Sequence, residues 1–412
     1  MNIVDIKASE LLDSRGIPTI ETIVTLEDGS IGSVIIPSGL STGKKEAVEL
    51  RDGGKRYMGM GVLKAINNVN GPIRSTLIGT NAGKQNIIDE KLILLDGTEN
   101  KSKLGANAIL SVSIATIKAF AKSKKQPLYQ YLNAKKFLHH HPTPMINVIN
   151  GGLHADNSIA IQESMIVPIG ASNIKDALRM SVETIYSLKK NLKSMNYNIN
   201  VGDEGGFAPN FNSSEDTLSF IVQAIKDAGY MPGKDIMIAL DVAASSIYNA
   251  KKYNLDDKSL SSDELISYYS YICDKYPILS IEDGMAEDDY KGWENLIGKL
   301  GNRIKIIGDD LFATNPYTIK QKINLANGII IKYNQIGTIT EVFSAINIAK
   351  KAGYKIVISH RSGETEDTTI AHIAFGVGAD YIKTGSVCRS ERVAKYNELM
   401  RIAEDIKQHA KL

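Results

Sequence analysis

Ile236-Met237-Ile238-Ala239-Leu240-Asp241, Ile278-Leu279-Ser280-Ile281-Glu282 and Ile304-Lys305-Ile306-Ile307-Gly308-Asp309 are short, mostly apolar runs that each end on a carboxylate. Three more follow: Ile329-Ile330-Ile331-Lys332, Ile356-Val357-Ile358-Ser359-His360 and Tyr381-Ile382-Lys383. Successive end residues lie 23 to 41 positions apart, room for a helix between one run and the next. Short β-rich runs alternating with helix-length segments are the pattern of repeated βα units on a parallel sheet. A series this long suggests a ring of strands delivering charged groups to one face. Barrels of this kind build their sites at the C-terminal ends of the strands.

The bulk numbers bound the reading. At 412 residues the chain exceeds one ordinary core, and an α/β barrel plus a smaller domain fits that length. Its 48 basic and 46 acidic residues nearly cancel, so the balance carries no nucleic-acid or membrane footprint. Cys273 and Cys388 stand far apart, without metal or redox spacing, and point to a reducing compartment. Asp5, Lys7 and Glu10 interrupt any apolar leader, and no apolar run approaches the ~20 residues of a membrane span. A soluble, cytoplasmic protein is expected.

Residues 1–35 alternate in the strand manner, with Asp28-Gly29 as a hairpin-type turn. The stretch 37–45, Pro37-Ser38-Gly39-Leu40-Ser41-Thr42-Gly43-Lys44-Lys45, is too rich in Gly and Ser for regular structure. It lacks P-loop spacing, and reads as a mobile lid or a plain surface loop. From Val62 to Leu132 the apolar period is helical, and Gly105-Ala106-Asn107-Ala108 suggests a closely packed helix start. Strands followed by helices indicate a small α+β domain over 1–137, with the barrel over 138–412. His139-His140-His141, in the polar linker, is given no role.

The second domain opens with a strand over Met145–Asn150 and another over Ile159–Pro168, unusual in carrying Gln162 and Glu163 mid-run. A helix is expected over Asn173–Met195, then an acidic, glycine-rich turn at Gly202-Asp203-Glu204-Gly205-Gly206. Between the strands, Asp263–Tyr276, Glu287–Leu300, Pro316–Leu325 and Thr338–Ala352 have the spacing of barrel-covering helices. A terminal helix is expected over Val393–Leu412.

If the strands close a barrel, Asp241, Glu282 and Asp309 meet on one rim. Three crowded carboxylates need protonation or a cation, and oxygen-only ligands favour Mg²⁺ before Ca²⁺ or Zn²⁺. Each carboxylate singly could instead be a helix N-cap. Lys332 and Lys383 end neighbouring strands; they read as a general base and a charge partner, or as plain salt bridges to the acids. His360-Arg361-Ser362 combines an imidazole, a guanidinium fork and a hydroxyl, which suits a phosphate or carboxylate dianion. Glu204, with Glu163 and Gln162, could face a metal-bound substrate and serve as general acid; its glycine-rich setting also fits a tight turn. The chemistry these residues favour is proton abstraction beside a carboxylate.

The chain resembles the enolase family, the glycolytic phosphopyruvate hydratases, along nearly its whole length. The resemblance rests on Asp13-Ser14-Arg15-Gly16, Pro37-Ser38-Gly39, Ser41-Thr42-Gly43, Leu95-Asp96-Gly97-Thr98-Glu99-Asn100-Lys101, Asn150-Gly151-Gly152 and His154-Ala155-Asp156. It continues through Val201-Gly202-Asp203-Glu204-Gly205-Gly206, Ser280-Ile281-Glu282-Asp283-Gly284, Gly308-Asp309-Asp310-Leu311-Phe312 and Asn334-Gln335-Ile336-Gly337. Ser359-His360-Arg361-Ser362-Gly363-Glu364-Thr365 and Ile382-Lys383-Thr384-Gly385 complete it. It implies an α/β fold, a (β/α)8-type barrel of the enolase kind behind a smaller α+β domain.

The implied activity is a lyase reaction, the reversible dehydration of 2-phospho-D-glycerate to phosphoenolpyruvate. Asp241, Glu282 and Asp309 would hold one Mg²⁺, and Ser41 on the lid a second that arrives with substrate. Lys332 would take the C2 proton. Glu204 would assist loss of the C3 hydroxyl, with Glu163 and His154 among the catalytic groups. Gln162, Arg361, Ser362 and Lys383 would bind the substrate's anionic groups, with His360 and Lys332 beside them. A homodimer or higher homo-oligomer is implied. Leu40 stands where the family's lid has a small Ala, Ser164 replaces an aromatic, and Ile17 replaces a polar residue. The rival readings are another superfamily member acting on acid sugars, as dehydratase or racemase, and an additional surface-binding role.

Overall fold

The computed structural model describes residues 1–39, 43, 45–132 and 141–409. The expectations placed on Leu40, Ser41, His139 and His140 therefore lie outside the described residues. The N-terminal part begins with an antiparallel sheet of β1 (Ile3–Leu12), β2 (Pro18–Leu26) and β3 (Ile31–Ile35). Gly29, at φ +80°, makes the turn expected of Asp28-Gly29. The helix Ala106–Ser123 packs across β2 and β3 with almost every residue buried. The approach is so close that a Cβ on Gly32 would lie 2.1 Å from the Ala115 carbonyl oxygen. The close-packed helix read from Gly105-Ala106 is thus real, and the partner's glycine permits it.

The barrel strands are β4 (Thr143–Asn150), β5 (Glu163–Val167) and β6 (Met237–Asp241). A small side sheet, β7 (Tyr248–Asn249), β8 (Lys252–Leu255) and β9 (Lys258–Leu260), interrupts the series. Then come β10 (Ile278–Glu282), β11 (Lys305–Gly308), β12 (Gly328–Ile331), β13 (Lys355–Ser359) and β14 (Tyr381–Lys383). Strands β10 to β14, β4, β5 and β6 close into a barrel in that order. Met145, Met165, Val167, Ala239, Ile307, Ile330 and Val357, from six of the eight strands, form a separate buried cluster apart from the larger core, with Leu279 of β10 and Tyr381 of β14 packed against it. That is the packed interior of a barrel, filled by side chains rather than open.

One strand runs against the rest. β5 is antiparallel to both β4 and β6, while the other pairs are parallel. The strand also starts at Glu163, not at Ile159 as the apolar run suggested. Reversal places the first residue of β5, rather than its last, on the rim where the other strands end. Glu163 accordingly stands opposite Asn150 and Asp241 in register. Reversal also means that β5 ends, and β6 begins, at the far rim. The connection must climb and return, which takes two helices: Ile174–Ser194, expected, and Ser214–Asp227, which the sequence reading passed over. The turn between them lies at the near rim and carries Glu204.

The missed helix had local signals. Ser213 caps it by accepting from the Asp216 N–H, and Leu218, Ile221 and Ile225 fall on its buried face. The other expected covering helices match in place, the first shifted by one residue and the rest shorter: Ser262–Lys275, Tyr290–Leu300, Pro316–Gln321 and Ile339–Lys351. Asp289 is the N-cap of the second, so Glu287 and Asp288 precede it. The terminal helix begins earlier than expected, at Ser390, and is described to His409.

The two parts are pinned by buried polar contacts. Asp89 accepts from the Thr340 N–H at 3.0 Å and from Gln85 at 3.0 Å, and Ser113 Oγ accepts from the Ile339 N–H at 3.1 Å. Lys101, nearly buried, pairs with Glu341 at 3.0 Å. Together these hold the start of the Ile339–Lys351 helix against the N-terminal helices. Asp89→Ala would strand the Thr340 N–H, and is expected to cost about 1–3 kcal/mol. Urea unfolding monitored by far-UV circular dichroism reads this; a midpoint equal to wild type would refute it.

Candidate active site

The expected strand-end residues converge on one rim. Asp241, Glu282 and Lys383 are the last residues of β6, β10 and β14, while Asp309, Lys332 and His360 directly follow β11, β12 and β13. With His154, Gln162, Glu163, Glu204, Arg361 and Ser362, all but Glu282 line a single polar cavity of about 50 Å³. Glu282 lies just beneath, buried and bonded to Lys383.

Lys383 is the centre. Its ammonium, 2% exposed, lies 2.8 and 3.0 Å from the Glu282 oxygens, 3.1 Å from Asp241 Oδ2 and 3.2 Å from Glu163 Oε2. Burial pushes that ammonium toward neutrality, but Glu163, Glu282 and Asp241 outweigh it and hold it firmly charged. Burial, then Asp241, pushes the Glu282 carboxyl well above the usual range. More negative charge is gathered here than one ammonium balances.

Lys332 forms the second knot, donating to Asp309 Oδ2. Burial lowers its pKa, and Asp309 more than restores it, so the ammonium stays protonated. Gln335 donates to Asp309 Oδ1 at 2.9 Å, and its own oxygen accepts from Thr314 at 2.6 Å. Asp283, at φ +41°, accepts the N–H groups of Asp309 and Asp310 at 2.9 Å each. It thereby sets the direction of the Asp309 side chain. Burial, then Asp309, pushes Asp310 up to about 7.

Across the cavity Glu204 sits among histidines. His154 Nδ1 is 3.4 Å from Glu163 Oε1 and 3.7 Å from Glu204 Oε1; His360 Nε2 is 3.5 Å from Glu204 Oε2. Burial disfavours the His154 imidazolium, but Glu204 and Glu163 together raise its pKa to about 9. Burial pushes His360 down to about 4, so this ring is neutral. Burial also pushes Glu204 up, while His360, His154 and Arg392 bring it well below the usual carboxylate range. Of these, His154 and Arg392 carry charge at neutral pH, and the neutral His360 contributes an N–H dipole. Asn147 adds a hydrogen bond to Glu204 Oε2 at 3.2 Å.

The N-terminal part reaches into the site. Arg361 donates to Glu46 Oε2 at 2.9 Å and Oε1 at 3.3 Å, and to Asn334 Oδ1 at 3.1 Å. Ser38 and Gly363 exchange both backbone hydrogen bonds, at 2.8 and 2.9 Å. Ser38, at the start of the 37–45 stretch, is therefore sewn to the Arg361-Ser362 turn. Gln162 and Ser362 are buried at the cavity wall.

Sequence reasoning gave no role to Glu46, Asp283, Asp310, Gln335 or Arg392. Asp283, Asp310 and Gln335 each sit one or three residues beyond a predicted site residue, and that adjacency was the available signal. Glu46 and Arg392 belong to elements far away in the chain, and nothing local marks them.

Two family models match the chain: "Enolase, N-terminal domain" over residues 3–132 and "Enolase, C-terminal TIM barrel domain" over residues 138–412. The chain belongs to the enolase family. Enolase-family membership agrees with the small α+β part, the closed eight-stranded barrel and the acidic rim.

The donor set can be tested against a divalent cation. Among the described residues, ligand atoms lie within 4.8 Å of one another in two groups, Asp283, Asp309 and Asp310, and His154, Glu163 and Glu204. Asp241, Glu282 and Asp309 do not form such a group, because Lys383 stands on the first two and Lys332 on the third. The excess of buried, all-oxygen donors nevertheless suits a hard cation, and the enolase-family rim is compatible with Mg²⁺. Lys383→Met would leave Glu163, Asp241 and Glu282 uncompensated, with an expected loss of about 3–5 kcal/mol. Added Mg²⁺ should recover part of the melting temperature; a variant as stable as wild type without Mg²⁺ would count against this charge balance.

Proposed function

We propose that this enolase-family protein catalyses the reversible, Mg²⁺-dependent dehydration of 2-phospho-D-glycerate to phosphoenolpyruvate, in glycolysis. The observation that carries the reading is the division of one cavity. Lys332 and Lys383 with Asp241 and Asp309, and Glu282 beneath them, form one part. Glu204, with His154 and His360, forms the other, and Glu163 stands between the two, 3.2 Å from Lys383 and 3.4 Å from His154. An elimination that removes a proton from C2 and a hydroxyl from C3 needs a base and an acid on opposite sides of the substrate.

In this reading Asp241, Glu282 and Asp309 would hold one Mg²⁺, and Ser41 would take part in holding a second. Bound there, the ions would supply positive charge against the substrate carboxylate. Lys332 accepts the C2 proton at Nζ, a role open to it once Asp309 no longer serves as its counter-charge. The electron pair left on C2 forms the new C2–C3 double bond. Glu204 delivers a proton to the departing C3 hydroxyl, which leaves as water. His154, whose pKa Glu204 and Glu163 together raise to about 9, is the source of that proton and passes it to Glu204 Oε1, 3.7 Å away. Lys383, Gln162, Arg361 and Ser362 bind the substrate's carboxylate and phosphate, with His360 behind them. Arg361 gives up Glu46 for the incoming anion, an exchange of one bidentate oxyanion partner for another.

We further infer a domain boundary between residues 137 and 138, a cytoplasmic location, and a homodimer or higher homo-oligomer. Among the described residues, no helix is long and apolar enough to cross a membrane.

Purified protein with Mg²⁺ is expected to convert 2-phosphoglycerate to phosphoenolpyruvate, followed by ultraviolet absorbance, and EDTA should stop the reaction. Well-folded protein lacking EDTA-sensitive activity would overturn the assignment. Lys332→Ala is expected to lower turnover by about 10²–10⁴-fold. Near-normal turnover would remove Lys332 from the role of base.

A further inference from the structure

Arg392 lies on the terminal helix, outside every motif discussed above, yet its side chain is wholly buried behind the cavity. Nη1 stands 2.6 Å from His360 Nδ1 and donates to the Arg361 carbonyl at 2.6 Å. Nη2 donates to the Ser362 carbonyl at 2.5 Å and the Asp203 carbonyl at 3.3 Å. Its stem packs on Gly385, at φ +78°, where a Cβ would meet Arg392 Cδ at 3.0 Å. The guanidinium thus ties the His360-Arg361-Ser362 turn to the Asp203-Glu204 turn, two loops that approach from different barrel strands.

A guanidinium has five N–H donors, no acceptor, and no accessible neutral form. At 2.6 Å from Arg392, His360 Nδ1 can only accept. The ring is fully buried beside that fixed positive charge, which disfavours a second proton. Its remaining proton must therefore reside on Nε2, which points at Glu204 Oε2 from 3.5 Å and has no closer partner among the described residues.

We propose that Arg392 is a positioning residue that fixes His360 in the Nε2–H tautomer and, through it, orients the Glu204 carboxyl. Oε2 of Glu204 then faces two donors, His360 Nε2–H and the Asn147 amide. The proton that Glu204 handles belongs on Oε1, the oxygen turned toward His154 at 3.7 Å. This last step rests on the role of Glu204 proposed above; the tautomer does not.

The two can be separated experimentally. Nitrogen-15 NMR of histidine-labelled protein, with His360 assigned by loss of its signals in His360→Gln, reads the tautomer directly. At neutral pH His360 is expected as the neutral Nε2–H form. In Arg392→Met a mixture of tautomers is expected, with kcat lowered about 10–100-fold. KM is expected to change by a smaller factor than kcat, since Arg361 and Ser362 keep their side chains although their carbonyls lose a donor. Arg392→Lys keeps a donor for Nδ1 and should hold the Nε2–H form and recover part of the turnover. A wild-type ring protonated on Nδ1 or on both nitrogens overturns the proposal, as does Arg392→Met with unchanged tautomer and turnover. If Arg392→Met does not fold, the wild-type spectrum and Arg392→Lys decide. If the protein has no activity on 2-phosphoglycerate, the functional assignment fails while the spectra still judge Arg392.

Discussion

The burial of Lys383 among Glu163, Asp241 and Glu282 is the constraint on which the rest of the site depends. Bringing three carboxylates to one barrel rim away from water is strongly unfavourable unless positive charge comes with them. Here each cation has a definite carboxylate partner: Lys383 with the central three, Lys332 with Asp309, Arg361 with Glu46. The substrate-binding cations and the metal-binding acids of the proposed reaction therefore neutralise one another. In the proposed reaction, substrate and metal would each replace one of these ion pairs with a comparable one.

The reversed strand β5 is the second determinant, because it decides which groups face the lysines. Had β5 run parallel to its neighbours, its last residue, Val167, would have met the rim in place of Glu163. Its reversal also requires the two-helix return to β6, and the turn at the top of that return holds Glu204. The acid and base of the proposed reaction thus come from differently built parts of the barrel. Lys332 is delivered by a regular parallel βα unit, Glu204 by the excursion that an antiparallel strand demands.

The barrel alone does not complete the rim. Glu46 and the Ser38–Gly363 pairing bring in the N-terminal part, while Arg392 and Lys395 come from the last helix. Lys395 donates to Glu364 Oε2 at 2.7 Å, and Glu364 Oε1 accepts the Arg361 N–H at 3.2 Å. The turn that carries His360, Arg361 and Ser362 is consequently held from both ends of the chain. Rigid placement of a guanidinium and an imidazole on a loop requires such support, since a loop has no ladder of its own to fix it.

Much of this was legible in the chain itself. Apolar runs capped by Asp241, Glu282, Asp309, Lys332, His360 and Lys383 announced strands and their polar ends, because burial on both faces of a parallel strand leaves only its end free to be polar. The same local physics marked the covering helices. What remained hidden was direction and distance. The alternation of apolar residues is the same for a strand read in either direction, so nothing in Glu163–Val167 told that β5 runs backwards or that its start, not its end, meets the rim. Nor does any local pattern reveal that Glu46 pairs with Arg361, or that Arg392 sits on the far side of the His360 ring. The sequence by itself determined which chemical groups were available and that most would share one rim. Only the tertiary structure decided which of them face each other, because pairing between buried charges depends on closure of the barrel and on segments hundreds of residues apart along the chain.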